Sequence, residues 1–245
     1  MRGEGSVSII IPAYNEAARI GDTIRRLLAY RHEPDAGILE IIVVDDGSRD
    51  GTTSIVKSMQ AEPALRLISY GANAGKGYAI RRGVVEAKGD LILLSDADLS
   101  TPIEELVLLR HALKTADIAI GSRAIDPAKV RIKQNKLRRR LGITFNRLLK
   151  VVTGLPFGDT QCGFKLLPRE AARKIFSIAT IDRFAYDVEM LMIAKSAGYS
   201  VAEVPVLWFN SENSRVRIVR DSLRMFIDVL LIRRRLGSYG PASQD

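Results

Sequence analysis

The stretch Asp90-Leu91-Ile92-Leu93-Leu94-Ser95-Asp96-Ala97-Asp98 runs four consecutive apolar residues into a pair of carboxylates. A run this short, bounded by polar residues, reads as a strand buried on both faces. In open α/β sheets, ligands bind beyond the carboxyl ends of such strands. The same arrangement recurs along the first half of the chain. Residues 7–12 (VSIIIP) lead into Tyr14-Asn15-Glu16, and residues 40–45 (EIIVVD) lead into Asp46-Gly47-Ser48. Residues 65–70 lead into Asn73–Gly77, and residues 116–120 into Gly121-Ser122-Arg123. Helical patterns lie between these strands. One opens at Asn15-Glu16 and carries Ile20, Ile24, Leu27 and Leu28; a second reaches about Gln60; a third runs from Gly75-Lys76-Gly77 through Ala87. A fourth has Pro102 in its first turn, where a missing N–H costs nothing. Alternating strands and helices predict an α/β fold, a mostly parallel sheet with helices on both faces. Five polar clusters at five strand ends make one candidate site. Singly, Asp46-Gly47-Ser48 reads equally as a turn and Asn15 as a helix N-cap.

Composition narrows the function. The chain has 245 residues, 47% apolar and 27% charged, ordinary for a folded protein and compatible with one large domain. Cys162 is the only cysteine and there are two histidines, which excludes a disulfide scaffold and a zinc site of the usual kind. Cys162, with no histidine near it in sequence, reads as a small buried residue. No apolar run reaches the length that spans a bilayer, and residues 1–6 lack the apolar stretch of a signal peptide, so the expectation is a cytoplasmic protein. The net charge of +9 is unevenly placed: residues 1–124 carry 15 basic and 17 acidic side chains, residues 125–245 carry 22 and 11. Between Lys129 and Lys150 there are nine basic residues and no acidic one, which points to an anionic partner for the second half. Nucleic acid is disfavoured, because Phe145 is the only aromatic in that stretch and stacking platforms are otherwise absent. There is no P-loop motif, and Gly75-Lys76-Gly77 lacks the third glycine of a dinucleotide fingerprint, Ile80 standing there instead.

Asp96 and Asp98 flank one small residue just past a buried strand. Two hard oxygen ligands with open positions suit Mg2+ or Mn2+ shared with a diphosphate. The alternative is an acidic turn before a helix capped by Ser100. The segments VSIIIPAYNE (7–16), VVDDGSRD (43–50), Gly75-Lys76-Gly77, Asp96-Ala97-Asp98 and Gly121-Ser122-Arg123 resemble the family 2 glycosyltransferases of the GT-A fold. Within them, DADLSTPIEEL (96–106), DTQCGFKLL (159–167), RFAYDVEML (183–191) and EVPVLWF (203–209) resemble the polyprenyl-phosphate sugar transferases, most of all the dolichyl-phosphate glucosyltransferase branch. The resemblance covers about residues 6–235 and implies one domain over 1–245, with 1–124 as the nucleotide-sugar half and 125–245 as the acceptor and membrane half.

The resemblance also implies roles. Pro12, Ala13, Tyr14, Asn15, Glu16 and Asp46 would hold the nucleoside; Asp96, Ala97 and Asp98 would carry the metal and diphosphate; Lys76, Arg123 and Arg215 would meet the donor phosphates or sugar. Arg215 stands in Asn213-Ser214-Arg215 where the glucosyl branch has Gly-Ser-Lys, keeping the charge and changing its geometry. Gln161, with Arg138 and Arg139, would lie on the acceptor side. The implied reaction is inverting transfer of a hexose, with UDP-glucose as expected donor, to a polyprenyl monophosphate. A phosphate acceptor is already largely dianionic at neutral pH, with its second pKa near about 6, which lightens the demand for a base. Asp159 is the first candidate for base or acceptor-positioning group and Asp187 the second; the alternatives are a turn residue after Gly158 and an acid at a helix N-terminus. Other readings stay open: GDP-mannose as donor, a sugar hydroxyl as acceptor, or a silent module that binds anionic lipid or nucleic acid.

Two amphipathic patterns complete the second half. Leu137, Leu141, Phe145, Leu148, Leu149 and Val152 share one helical face, flanked by Arg138, Arg139, Arg140, Arg147 and Lys150. From about Val216 to Arg235, the residues Val216, Val219, Leu223, Phe226, Ile227, Leu230 and Leu231 share another, ending in Arg233-Arg234-Arg235. Both suit an anionic membrane surface, and both suit packing on the core. The first reading places the protein peripherally on the cytoplasmic face of a membrane.

Overall fold

The computed structural model describes residues 3–131, 146, 148–209 and 218–235. One seven-stranded sheet has the order β3-β2-β1-β4-β6-β5-β7. Its strands are β1 (Val7–Ala13), β2 (Ile38–Asp45), β3 (Leu65–Ser69), β4 (Leu91–Leu94), β5 (Ile118–Ser122), β6 (Lys165–Pro168) and β7 (Val201–Pro205). Six are mutually parallel where they pair; β6 alone runs antiparallel, against both β4 and β5. The sheet is therefore mostly parallel, as the sequence predicts, and β6 stitches the first half of the chain to the second.

The strands read as continuous apolar runs because both faces are covered. Along β1, Ile10 packs into one core cluster while Ile9 and Ile11 enter the other. The first cluster is built with helices α3 (Lys76–Glu86), α5 (Arg169–Ile178), α6 (Tyr186–Ser196) and α7 (Ile218–Arg235); the second with α1 (Ile20–Tyr30) and α4 (Leu106–Ala112). The short α2 (Thr52–Ser58) follows β2.

Helix α1 starts later than the sequence pattern suggests. Asn15 is not inside a helix but holds a left-handed conformation, φ 55°. Its N–H donates to Ser48 Oγ and its side-chain oxygen accepts from the Arg49 N–H. Asparagine tolerates that region better than other non-glycine residues. The bend lets the chain leaving β1 interlock with the turn leaving β2. Helix α7 differs in face. Met225, Val229 and Ile232 are buried, whereas Ile227, Leu230 and Leu231 are 49%, 41% and 42% exposed. Leu137, Arg138, Arg139, Arg140, Leu141, Phe145, Arg147, Arg215 and Val216 lie outside the described residues, as do the side chains of Val219 and Leu223.

The amino ends of the strands are tied by a separate polar knot. Buried Glu40 accepts from Ser8 Oγ (2.7 Å), the Lys88 N–H (2.7 Å) and Arg66 Nη1 (2.8 Å). Burial works against this carboxylate, and Arg66, Ser8 and Lys88 more than reverse the effect, leaving its pKa below the ordinary value. A depressed folded-state pKa gives stability that is present above the unfolded value, about 4.3, and is lost as pH falls through the folded one. Glu40→Ala is expected to lower unfolding free energy by about 2 kcal/mol at neutral pH, a buried-pair loss moderated by the partial exposure of Arg66. Denaturant titrations at several pH values check this; the gap between variant and wild type should narrow below about pH 4.

Candidate active site

The carboxyl ends of β1, β2, β4 and β5 carry the polar clusters; hydrogen bonds link the first three, and segment 159–163, held by Arg123, packs against the third. After β2, the Asp46 N–H donates to Ala13 O, anchoring the turn on β1 beside Pro12 and Tyr14. The Asp46 carboxylate faces the loop before α3, accepting from Asn73 Nδ2 (2.7 Å), the Ala74 N–H (2.7 Å) and the Gly75 N–H (2.9 Å). Asp46 is buried and thus clamps the segment that presents Lys76. Glu16 and Arg19 form an ion pair, and Arg19 also lies 3.5 Å from Asp98.

Gly75 and Gly77 are needed for close approach. Gly75 has φ 114°, and a Cβ on either residue would overlap the backbone carbonyl of Asp182 or Ile181. The loop 181–183 packs on the start of α3, so this glycine pair seats a neighbouring backbone. Glu189 holds that loop in turn, accepting from the Thr180 and Ile181 N–H groups.

From this anchored start, Lys76 Nζ reaches Asp96 Oδ1 at 2.5 Å and lies 5.6 Å from the centre of the Tyr186 ring. Burial works against the Asp96 carboxylate, but Lys76, with Lys165 and Arg123 farther off, holds its pKa below the ordinary range. Ala97 accepts from Thr23 Oγ1 through its carbonyl, fixing the bend between the two aspartates. Asp98 Oδ1 accepts from the Ser100 N–H. A Cβ on Gly163 would overlap the Asp96 carboxylate, which places segment 159–163 directly against the acidic pair.

That segment is held by four ion-paired or hydrogen-bonded groups. Buried Asp159 accepts from Arg123 Nε (2.6 Å), Arg123 Nη2 (2.8 Å) and the Arg123 N–H (3.1 Å). The guanidinium also lies 5.4 Å from the Trp208 ring centre. Burial opposes both charges, and each partner more than restores the other: the Asp159 pKa is lowered and that of Arg123 raised. Glu203 on β7 accepts from the Gly158 and Asp159 N–H groups and from Ser122 Oγ. Lys165, fully buried, donates to Cys162 O and to Asp187. Gln161 Nε2 contacts Met225 Sδ on α7 at 3.1 Å. Cys162 is buried and its thiol pKa is pushed up by that burial, which suits a packing residue and not a nucleophile.

Asp46, Lys76 and Asp96 are thus linked in turn, Arg123 is linked to Asp159, and the Gly163 backbone brings the second group against the first. The sequence reading missed Lys165, Glu189 and Glu203. Lys165 and Glu203 are each the one charged residue of a short, otherwise apolar strand, which is the signal that would have found them; Glu189 shares its helix with Asp187 and Lys195 and gives no such signal.

No group of three or more His, Cys, Asp or Glu side chains suited to a metal occurs among the described residues. Asp96 and Asp98 instead offer a two-carboxylate set, with Lys76, Arg19 and Arg123 around it. That set fits a hard divalent cation that draws its remaining oxygens from water and a bound diphosphate.

A mostly parallel sheet with one antiparallel strand beside the acidic pair is the GT-A architecture of nucleotide-sugar transferases. The glycosyl transferase family 2 model matches residues 8–176, and the chain belongs to that family: it is a glycosyltransferase. It is 37% identical over 236 residues to a dolichyl-phosphate beta-glucosyltransferase of Trichomonas vaginalis, covering 92% of this chain and 70% of that one. It is also 37% identical over 243 residues to the mouse dolichyl-phosphate beta-glucosyltransferase, covering 94% and 75%. Among solved structures it resembles the glucosyl-3-phosphoglycerate synthase of Mycobacterium tuberculosis in complex with Mn2+ and UDP-glucose, with a TM-score of 0.70, 21% identity and coverage of 98% and 81%. The mannosyl-3-phosphoglycerate synthase of Rubrobacter xylanophilus aligns with a TM-score of 0.69 at 24% identity, covering 98% and 77%. At these identities the structures show a shared fold.

Gly163→Ala is expected to push the Asp96 carboxylate out of place while the core stays packed. Transferase turnover should fall by about tenfold or more, as misplacement of a catalytic group by an ångström does. A calorimetric melt alongside the rate assay separates this from simple unfolding.

Proposed function

We propose that this protein transfers glucose from UDP-glucose to a polyprenyl monophosphate of the dolichyl type, with inversion, at a membrane surface. One observation carries the choice of acceptor: both candidate bases are locked in ion pairs. Asp159 is held by Arg123 and Asp187 by Lys165. A carboxylate whose pKa is lowered by a bidentate guanidinium is a poor proton acceptor. A sugar hydroxyl needs such an acceptor; a phosphate acceptor, already ionised, does not. Relatives that carry the dolichyl-phosphate glucosyltransferase name match 92–94% of the chain, including the segment beyond residue 176 where the family model ends.

In this reading Asp159 and Asp187 are positioning residues. Asp159 orients Arg123 toward the donor phosphates, and Asp187 with Lys165 fixes the Cys162–Gly163 backbone under Asp96. Asp96 and Asp98 hold Mg2+ or Mn2+, which when bound neutralises the charge developing on the departing nucleoside diphosphate. Lys76 and Arg123 supply further positive charge to that leaving group. Pro12, Ala13, Tyr14, Asn15 and Glu16 border the nucleoside, with Asp46 holding the loop beneath Lys76. Gln161, beside α7, faces the acceptor. The two halves of the chain act as one domain, because β6 and β7 of the second half pair with β4 and β5 of the first.

No helix among the described residues is long and apolar enough to cross a membrane. Attachment is instead peripheral in this reading. Ile227, Leu230 and Leu231 form an exposed apolar stripe beside Arg233 and Arg234 on α7, and Val151, 80% exposed, adds to the same basic half. Apolar side chains entering the interface, with arginines at the head groups, give binding with a salt-sensitive part.

The reading is tested by transfer of labelled sugar to dolichyl phosphate in liposomes, with UDP-glucose and GDP-mannose in parallel. UDP-glucose should be the better donor, and Asp98→Ala should reduce turnover at least about a hundredfold, the scale expected for losing a metal's charge stabilisation. Preference for GDP-mannose would overturn the sugar; transfer to a soluble sugar hydroxyl in place of the lipid would overturn the acceptor.

A separate co-sedimentation experiment addresses the membrane. Arg233→Glu with Arg234→Glu should weaken binding to anionic liposomes by about tenfold or more, at about 1 kcal/mol per basic residue lost, and raised salt should mimic it. Unchanged binding would mean that α7 does not face the lipid.

A further inference from the structure

Lys76 and Asp96 stand in a relation that charge neutralisation of a leaving group does not require. The Lys76 backbone is pinned: Gly75 and Gly77 lie against the carbonyls of Asp182 and Ile181, and the Asp46 carboxylate grips the loop before it. Only the side chain is left to move, and it ends at Asp96 Oδ1, 2.5 Å away. Both Asp96 oxygens lie close to the Gly163 backbone, Oδ2 the closer of the two. The ammonium therefore sits on the less crowded of the two Asp96 oxygens, where an incoming cation would compete with it. The pair is not sealed off, since the Asp96 side chain is 40% exposed and that of Lys76 23%. Asp98 has its own counter-ion in Arg19, at 3.5 Å. Each of the two aspartates thus has a cationic side chain beside it before any metal arrives, Arg19 being shared with Glu16.

Such a balance opposes a free divalent cation, which must displace a like charge to reach Asp96. A diphosphate alters the sum. It brings negative charge, offers a lysine ammonium another anionic partner, and supplies oxygens to the metal. A lysine suits this exchange, being a compact point charge on a flexible stem and not a rigid bidentate fork.

We infer that Lys76 is an internal counter-ion that occupies the metal-facing oxygen of Asp96 until a nucleoside diphosphate draws it away, so that metal and nucleotide bind cooperatively and neither binds well alone. The inference rests on the reading of Asp96 and Asp98 as metal ligands. Linkage makes the coupling reciprocal: what UDP does for the metal, the metal does for UDP.

The test is a titration of Mn2+, followed by the paramagnetic resonance of free Mn2+ and by calorimetry, on full-length wild type, Lys76→Met and Lys76→Arg. Each is measured with and without UDP, after correction for Mn2+ held by UDP in buffer. Wild type should bind Mn2+ weakly alone and about tenfold or more tightly with UDP, within the usual span of coupling between sites. Lys76→Met should bind Mn2+ alone about tenfold more tightly than wild type, and UDP should then add less. Lys76→Arg, which keeps the charge, should stay weak without UDP. A residue that merely held the fold together would weaken binding in every state when replaced. If Lys76→Met does not fold by circular dichroism, Lys76→Gln carries the same comparison. Mn2+ affinity unchanged or weaker in the neutral variant, with UDP coupling intact, overturns the counter-ion role alone. No Mn2+ binding by wild type even with UDP removes the metal reading and the inference together.

Discussion

The site exists because one backbone segment lies against one carboxylate. Residues 159–163 run past the end of β4 so closely that position 163 has no room for a side chain beside Asp96. What fixes this approach comes from the second half of the chain and from Arg123 at the end of the first. Arg123 grips Asp159, Glu203 grips the N–H groups of Gly158 and Asp159, and buried Lys165 ties Cys162 O to Asp187. The following strand, β6, then enters the sheet between β4 and β5. The antiparallel direction of β6 follows from this path: the segment crosses the carboxyl ends of the parallel strands and must descend from there. The fold thereby delivers the DTQCGFK segment to the acidic pair as a consequence of chain direction.

Charge explains why so much of the machinery is internally paired. Asp96, Asp98, Asp159 and Asp187 line one site, and burying carboxylates such as Asp159 and Asp187 without a partner would be costly. Lys76, Arg19, Arg123 and Lys165 each answer one of them. Breaking one member of a buried pair strands its partner, so the pairs hold geometry tightly even where their net stabilising effect is small. The amino ends of the strands have a separate knot at Glu40, remote in topology from the site, so stability and chemistry are carried at opposite ends of the sheet.

The first five strands were legible because strands covered on both faces must be apolar throughout, and the residues just past them are free to be polar. β6 and β7 were legible only as motifs. β6 is four residues long and begins with a buried lysine, and β7 carries Glu203 in its middle, so neither has the apolar continuity of the others. The partnership of Arg123 with Asp159 spans 36 residues and leaves no periodic signature. The buried face of α7 was not legible for a related reason. Its apolar residues at 225–232 go most of the way round the helix, so the pattern allows two faces, and only the packing of Met225, Val229 and Ile232 selects one. The stripe that the sequence assigned to a single face is in part the one left exposed.

The central claim is that the carboxyl ends of β1, β2, β4 and β5 form one nucleotide site whose metal sits on the acidic pair. A crystal structure with UDP and Mn2+, using the anomalous signal of manganese to place the ion, tests it most directly. The account predicts an anomalous peak within coordinating distance of Asp98 or Asp96, with the diphosphate between that ion and Arg123 or Lys76. A peak elsewhere, or a diphosphate bound away from these strand ends, would contradict it.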